Sequence, residues 1–298
     1  MPRWLAMLLL TLATAAGSAH ASELAGRIWA PDQDRFVAPA EVERAIANAR
    51  FVLLGEEHSI AAHHALQARL LRVAARQSRP AVIFEMIPAP RQSAIDAWRR
   101  APNPTAAELG PAVAWSERGW PDWNIYLPIV EVALERDLPL VAGAPADSRL
   151  RSVAGAGLES LTAERQRALR LDRALPEAGH ERLLATLRGV HCGQSHAATT
   201  RMLAIQRLRD ATMAERLRSA AAGNGGAALI AGHGHTRKDH GVPQYLNVDG
   251  EELVTIAFRA TDGIDQIHEH VAAAGGALPY DYVWLTEGRV ARRNCPED

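Results

Sequence analysis

The sequence predicts an α/β fold: an open, mostly parallel sheet flanked by helices, with a small helical subdomain contributed by two long insertions. Three observations carry that expectation. Short apolar runs rich in valine, isoleucine and leucine recur six times without polar alternation, the pattern of strands buried on both faces. The first two runs enclose a stretch with apolar residues at helical spacing, which makes strand, helix and strand one βαβ unit. Ionisable residues gather at the ends of four of the runs, and a parallel sheet brings such ends to one edge.

From the amino terminus, Arg3 precedes the apolar stretch "WLAMLLLTLATAAG" and then Ala19-His20-Ala21, the layout of a secretory signal peptide. Residues 1–21 are therefore set apart, and residues 22–298 form the domain. The apolar stretch is shorter than the ~20 residues that cross a bilayer, and no later one is long enough. A periplasmic or secreted protein without a membrane span is expected, and no cysteine near the cleavage point is placed to carry a lipid.

"RFVLLG" is the first strand, and "SIAAHHALQARLLRVAARQ" the helix after it, with Ser59 as the expected N-cap. "PAVIFEM" is the second strand. Residues 88–137, rich in Pro and Trp, and residues 148–220, dense in Ala, Arg and Leu, exceed plain crossovers and read as mostly helical. "LPLVAGA" lies between them. The flexible turn "AAAGNGGAA" leads into "AALIAGH", and "ELVTIAF" and "YDYVWLT" complete the set.

Acidic and basic residues nearly cancel, 34 against 33, so charge makes no case for nucleic acid or for an anionic membrane surface. The two cysteines, Cys192 and Cys295, suit one disulfide in an oxidising compartment; two inert thiols or one thiolate ligand stay open as alternatives.

The strand ends deliver the chemistry. The first gives Glu56, Glu57 and His58, with His63 and His64 in the first turns of the next helix; the second gives Glu85; the third leads to Asp147 and Arg149; the fourth gives His233, His235, Arg237 and His240. Carboxylate and imidazole together serve a metal site or acid and base work. Gly55-x-x-His58 and Gly232-x-x-His235 repeat one small pattern, each glycine allowing a tight turn over a strand tip. Glu56 and Glu85 stand out, because a carboxylate closing an apolar strand is rarely buried without a partner. Strand alternation turns Glu57 the other way, toward solvent. The bland readings put His63 and His64 on the polar side of a helix and His180, His268 and His270 on the surface, with His191 and His196 beside Cys192 intermediate.

"WSERGWPDWNIY" supplies Trp115, Trp120, Trp123 and Tyr126, either to stack on a flat ligand or to pack as core, the commoner fate of a single Trp. Tyr126 or Tyr245 would serve as a phenolate ligand to ferric iron if either reached one.

With these residues in view, the chain resembles the ChaN family of haem-binding uptake proteins, within a superfamily that includes the Tiki proteases and the erythromycin esterases. "LLGEEHSIAAHH" resembles that family's opening segment, "VIFEMI" its second strand and "RGWPDWNIYLPIVEVALERDLPLVAGA" its most distinctive block; "HCGQSH", "IQRLRDATMAERL" and "LIAGHGHTRKDHGVPQYL" follow in order. The resemblance implies a haem-binding protein of iron uptake, with haem or another flat molecule as ligand, a homodimer holding stacked haems, and an uptake transporter as partner. On that reading His58, His64, Tyr126 and Trp120 are the candidate haem-binding residues. Resemblance to the metal-dependent members implies His58, Glu85 and His235 as ligands to a divalent ion. On that second reading the protein is a hydrolase: the ion lowers the pKa of a water, Glu56 or His233 is the base, and Arg237 stabilises developing negative charge.

Overall fold

The computed structural model describes residues 22–190, 195–262, 264, 266–273, 276 and 278–289. All six expected strands form: β3 (Phe51–Glu56), β4 (Ala81–Pro88), β5 (Leu140–Ala144), β6 (Ala227–Gly232), β7 (Leu253–Ala260) and β8 (Tyr282–Thr286). Every neighbouring pair among them is parallel. Two strands escape sequence reading, β1 (Ile28–Ala30) and β2 (Arg35–Val37), which pair antiparallel and add β1 antiparallel to β8. Three residues are too few to show a period.

The sheet runs β2-β1-β8-β7-β3-β6-β4-β5. Its strands are apolar throughout because both faces are covered: all of β3 and all of β4 are buried. Alternation sends Val52, Leu54, Val82 and Phe84 to one face and Phe51, Leu53, Ala81 and Ile83 to the other. Helices α1 (Pro39–Asn48), α2 (Ala61–Ala74), α3 (Gln92–Arg100), α4 (Ala106–Ala112) and α5 (Leu127–Glu135) cover the first face. The second carries α6 (Asp147–Ala156), α7 (Ala163–Ala168), α8 (Glu177–Val190), the 29-residue α9 (His196–Asn224) and α10 (Pro243–Leu246). The two insertions are thus helical, and they part to opposite faces of the sheet. A short α11 (Ile267–Ala273) closes a third cluster against β8.

Two local details differ from expectation. The N-cap of α2 is Ile60, with no side-chain cap, because residues 57–60 are first used in a turn that bonds the Ile60 N–H to the Glu57 carbonyl at 2.9 Å. And β3 and β4, although linked by α2 as a βαβ unit, are not neighbours: β6 inserts between them, with Leu53 and Ile83 both opposite Leu229. The chain leaves β3 toward β4, and later returns across it from β6 to β7. Such a reversal of strand order opens a crevice at the carboxyl end of β3. Among the described residues no helix is long and apolar enough to cross a membrane.

Candidate functional site

Glycine sets the closeness of the site. A Cβ on Gly55 would stand 2.8 Å from the His233 Cα and press on the Thr236 hydroxyl, so the loop after β6 can lie on the tip of β3 only over a glycine. Gly232 plays the reciprocal part, since a Cβ there would meet the His58 Nε2 at 3.1 Å.

Alternation past Gly55 turns Glu56 toward α2 and α5, where it is 1% exposed. Its Oε1 accepts from the Tyr126 hydroxyl at 2.7 Å and from the His58 Nδ1 at 2.7 Å; its Oε2 lies 3.1 Å from the His64 Nδ1. The protonation of His64 follows from its partners. The Gln67 amide donates to the Leu54 carbonyl, which presents its oxygen to the His64 Nδ1, while the His64 Nε2 faces the His58 carbonyl. Both ring nitrogens therefore meet acceptors, and both carry hydrogen. His64 is a buried imidazolium paired with Glu56: burial alone would lower its pKa, and the Glu56 charge raises it instead. Burial likewise pushes the Glu56 carboxyl up, but His64 and His58 prevail and hold it well below the usual range. Tyr126 is driven far above an ordinary phenol by burial and by the Glu56 charge.

Glu85 points to the other face, toward α9, in step with Ile83. It accepts from Arg209 at 2.5 Å and from the Gly232 N–H at 2.6 Å, and pairs with the His235 Nε2 at 3.0 Å. The His235 Nδ1 reaches Asp210 at 2.5 Å. Burial opposes protonation of His235, yet Glu85 and Asp210 overcome it and push its pKa up to about 9. His58 joins the two halves, its Nδ1 on Glu56 and its Nε2 3.9 Å from Glu85. Burial is outweighed by these two carboxylates, and the His58 pKa rises. His58 lines a cleft of about 370 Å³ together with Glu56, Glu57, Ser59, Pro121, Gly232 and His233.

The structure thus brings Glu56, His58, Glu85 and His235 together, and adds His64 and Tyr126 behind them. Arg209 and Asp210 were missed. Asp210 falls in step with Ala214 and Leu217 on the inward stripe of α9, and an acidic residue in that phase was the legible signal.

Other expected positions lie elsewhere. Arg237 is committed to Asp239 by two hydrogen bonds of 2.9 and 2.8 Å, and the guanidinium at Glu85 is Arg209 instead. His233 sits beside Arg259, with ring nitrogens 3.3 and 3.4 Å from its guanidinium, and burial followed by Arg259 holds its pKa well down. The Glu56 Oε1 is taken by the His58 Nδ1 and the Tyr126 hydroxyl, while its Oε2 is ion-paired with His64, and burial beside Arg259 keeps His233 from proton uptake. Glu57 is buried, not solvent-facing: it pairs with Arg259 at 3.4 Å, and burial pushes its pKa up to about 7. The residue past the strand tip still alternates, but β7 covers that side. His63 is buried too. It accepts the Glu57 N–H at Nδ1 and donates from Nε2 to the Thr286 hydroxyl, with its pKa lowered to about 3 by burial. His270 is likewise buried, whereas His196 and His268 are exposed. Cys192, Cys295 and His191, like the leader residues 1–21, lie outside the described residues.

The aromatic segment divides. Trp115, Trp123 and Tyr126 are core, Trp115 meeting each of the other two edge-on at 4.7 Å. Trp120 is half-buried and stands edge-on to His58 at 4.9 Å. The hydroxyl of Tyr126 is engaged by Glu56, and that of Tyr245 accepts from Arg207; both rings are at most 2% exposed, so neither phenol is offered to a ligand.

The expected metal triad does not fit an ion. The three side chains meet, but His235 spends both ring nitrogens on carboxylates, and among the described residues no group of three or more potential ligands is arranged to hold a metal. The donor set suits a haem iron better. His58 lines the cleft with its Nδ1 fixed on a carboxylate, and among the described residues its Nε2 makes no hydrogen bond, standing 3.9 Å from Glu85; an imidazole anchored this way is of the kind that ligates iron.

An α/β sheet with a His- and Glu-lined crevice at its switch-point strand defines a ligand-binding protein of the doubly covered kind. The chain belongs to the haem-binding uptake, Tiki superfamily, ChaN family, whose model matches residues 42–246. A solved structure of ChaN of Campylobacter jejuni with cofacial haem is similar with a TM-score of 0.64 and 17% identity, over 86% of this chain and 95% of that one. An erythromycin esterase, EreC in its open conformation, is more distant, with a TM-score of 0.43 and 16% identity over 80% of this chain and 83% of that one. At 17% identity the likeness to the Campylobacter jejuni protein is one of fold. A search of curated proteins found no match.

Proposed function

We propose that this protein binds haem in the cleft at the carboxyl end of β3, with the His58 Nε2 as axial ligand, and that it serves haem uptake outside the cytoplasm. The observation that carries the reading is the His58 imidazole: it lines the cleft, and its Nδ1 is anchored on Glu56 at 2.7 Å. Family membership supports the ligand, and the stacked haems of the Campylobacter jejuni protein support a homodimer with haems facing across it.

Haem when bound supplies an iron centre that accepts an imidazole lone pair. The chain's own residues set up that imidazole. Glu56 fixes the ring and its tautomer, and the His64 imidazolium and the Tyr126 hydroxyl hold Glu56 in place. Trp120 supports the ring from its edge. The test is a hemin titration followed in the Soret band. A shifted, saturable band is expected for the wild type and its loss for His58→Ala; a wild-type signal no greater than that of adsorption controls, or one unchanged in His58→Ala, overturns the reading.

A further inference from the structure

A second cavity lies on the same edge of the sheet, at the ends of β4 and β5. Its volume is about 110 Å³, below the several hundred of sites for larger organic ligands, and its apolar wall includes Pro145, Leu161 and Leu208. Three arginines line it, Arg149, Arg165 and Arg216, and no acidic residue does.

Only Arg165 spends its charge on a carboxylate in regular geometry, donating to both oxygens of Glu215 at 2.5 and 2.8 Å. Arg149, in the first turn of α6, has no carboxylate partner among the described residues. Arg216 carries a buried Nε without a hydrogen-bond partner. The first turn of α6 has no side-chain cap, and its acidic residue, Asp147, is taken by Arg118 at 3.1 and 3.2 Å. Thr212 gives its hydroxyl hydrogen to the Leu208 carbonyl, so recognition falls on the guanidiniums.

The buried Nε of Arg216 is costly until an acceptor meets it, and the planar guanidinium fork matches the oxygens of phosphate and carboxylate. We infer that this cavity binds an oxyanion head group, phosphate or carboxylate, held by Arg149 and Arg216 beside an Arg165 fixed by Glu215. Arg209 and Arg216 stand two turns apart on α9, about 10 Å along its axis, so one helix serves both the Glu85 site and this one. The oxyanion has two possible sources, a free anion or the carboxylate arm of a molecule seated in the cleft.

The experiment is titration of the full chain with inorganic phosphate and, separately, acetate, by calorimetry, with and without hemin. Saturable binding is expected for at least one anion, weakened about tenfold or more in Arg149→Gln and in Arg216→Gln. Competition with hemin identifies the carboxylate arm as the source, and independent binding identifies a free anion; either supports the site. No saturable binding of either anion to the wild type, or equal affinity in Arg149→Gln, overturns it. Arg149 is exposed, so that variant keeps the fold, which a thermal melt verifies.

Discussion

At the scale of single residues, the site is a set of buried charges that stabilise one another, and each depends on its partner. Removing the Glu56 charge leaves the His64 imidazolium in an apolar surround with both ring nitrogens committed. Glu56→Gln is therefore expected to destabilise the protein by about 3–5 kcal/mol, read as a drop in the urea midpoint. The cost exceeds that of one hydrogen bond because the carboxylate answers two imidazoles and a phenol. A loss below about 1 kcal/mol would show His64 to be neutral.

At the scale of elements, helices approach the sheet edge so closely that a methyl group decides the sign of a substitution. Gly179 lies in α8 with the backbone of Asp239 against it; an added Cβ would stand 2.9 Å from the Asp239 carbonyl carbon. Glycine to alanine in a helix ordinarily gains up to about 1 kcal/mol. At Gly179 the substitution is expected to cost about 1–3 kcal/mol, because backbone cannot yield as a side chain can. Gly223 of α9 has open space around it, and Gly223→Ala is expected to be neutral or to stabilise by a few tenths of a kcal/mol. Thermal melts of the two variants side by side test the contrast.

At the scale of the whole molecule, β6 and β7 bind the two halves of the chain. β3 is flanked by both, and β4 by β5 and β6, so a fragment of residues 22–190 lacks every neighbour of β3. Such a fragment is expected to show no cooperative thermal transition, and a sharp melt would refute the dependence. Stability also follows pH through the buried imidazoles. The His235 pKa, at about 9 against 6.5 for a free ring, gives stability that is complete below pH 6.5 and lost as pH rises through 9, roughly 3 kcal/mol in full. His58 and His64, also raised, act with the same sign. Urea midpoints should therefore fall between pH 6.5 and 9, and His235→Gln should flatten that slope.

What could be read in the sequence was what chain-local patterns encode. Six apolar runs announced buried strands, and the polar residues of "FVLLGEEH", "VIFEM" and "LIAGHGHTRKDH" announced the edge where Glu56, His58, Glu85 and His235 meet. The family followed from the same segments. Tertiary structure alone decided the rest. It set β6 between β3 and β4, because strand order depends on long-range pairing that no local period records. It buried Glu57 and His63, since exposure at a strand tip is settled by whatever packs over it, here β7 and β8. It assigned the guanidinium on Glu85 to Arg209, some 120 residues away in the chain, and left Arg237 to its near neighbour Asp239. A charge takes whichever partner the fold brings within a few ångströms, and sequence distance carries no information about that.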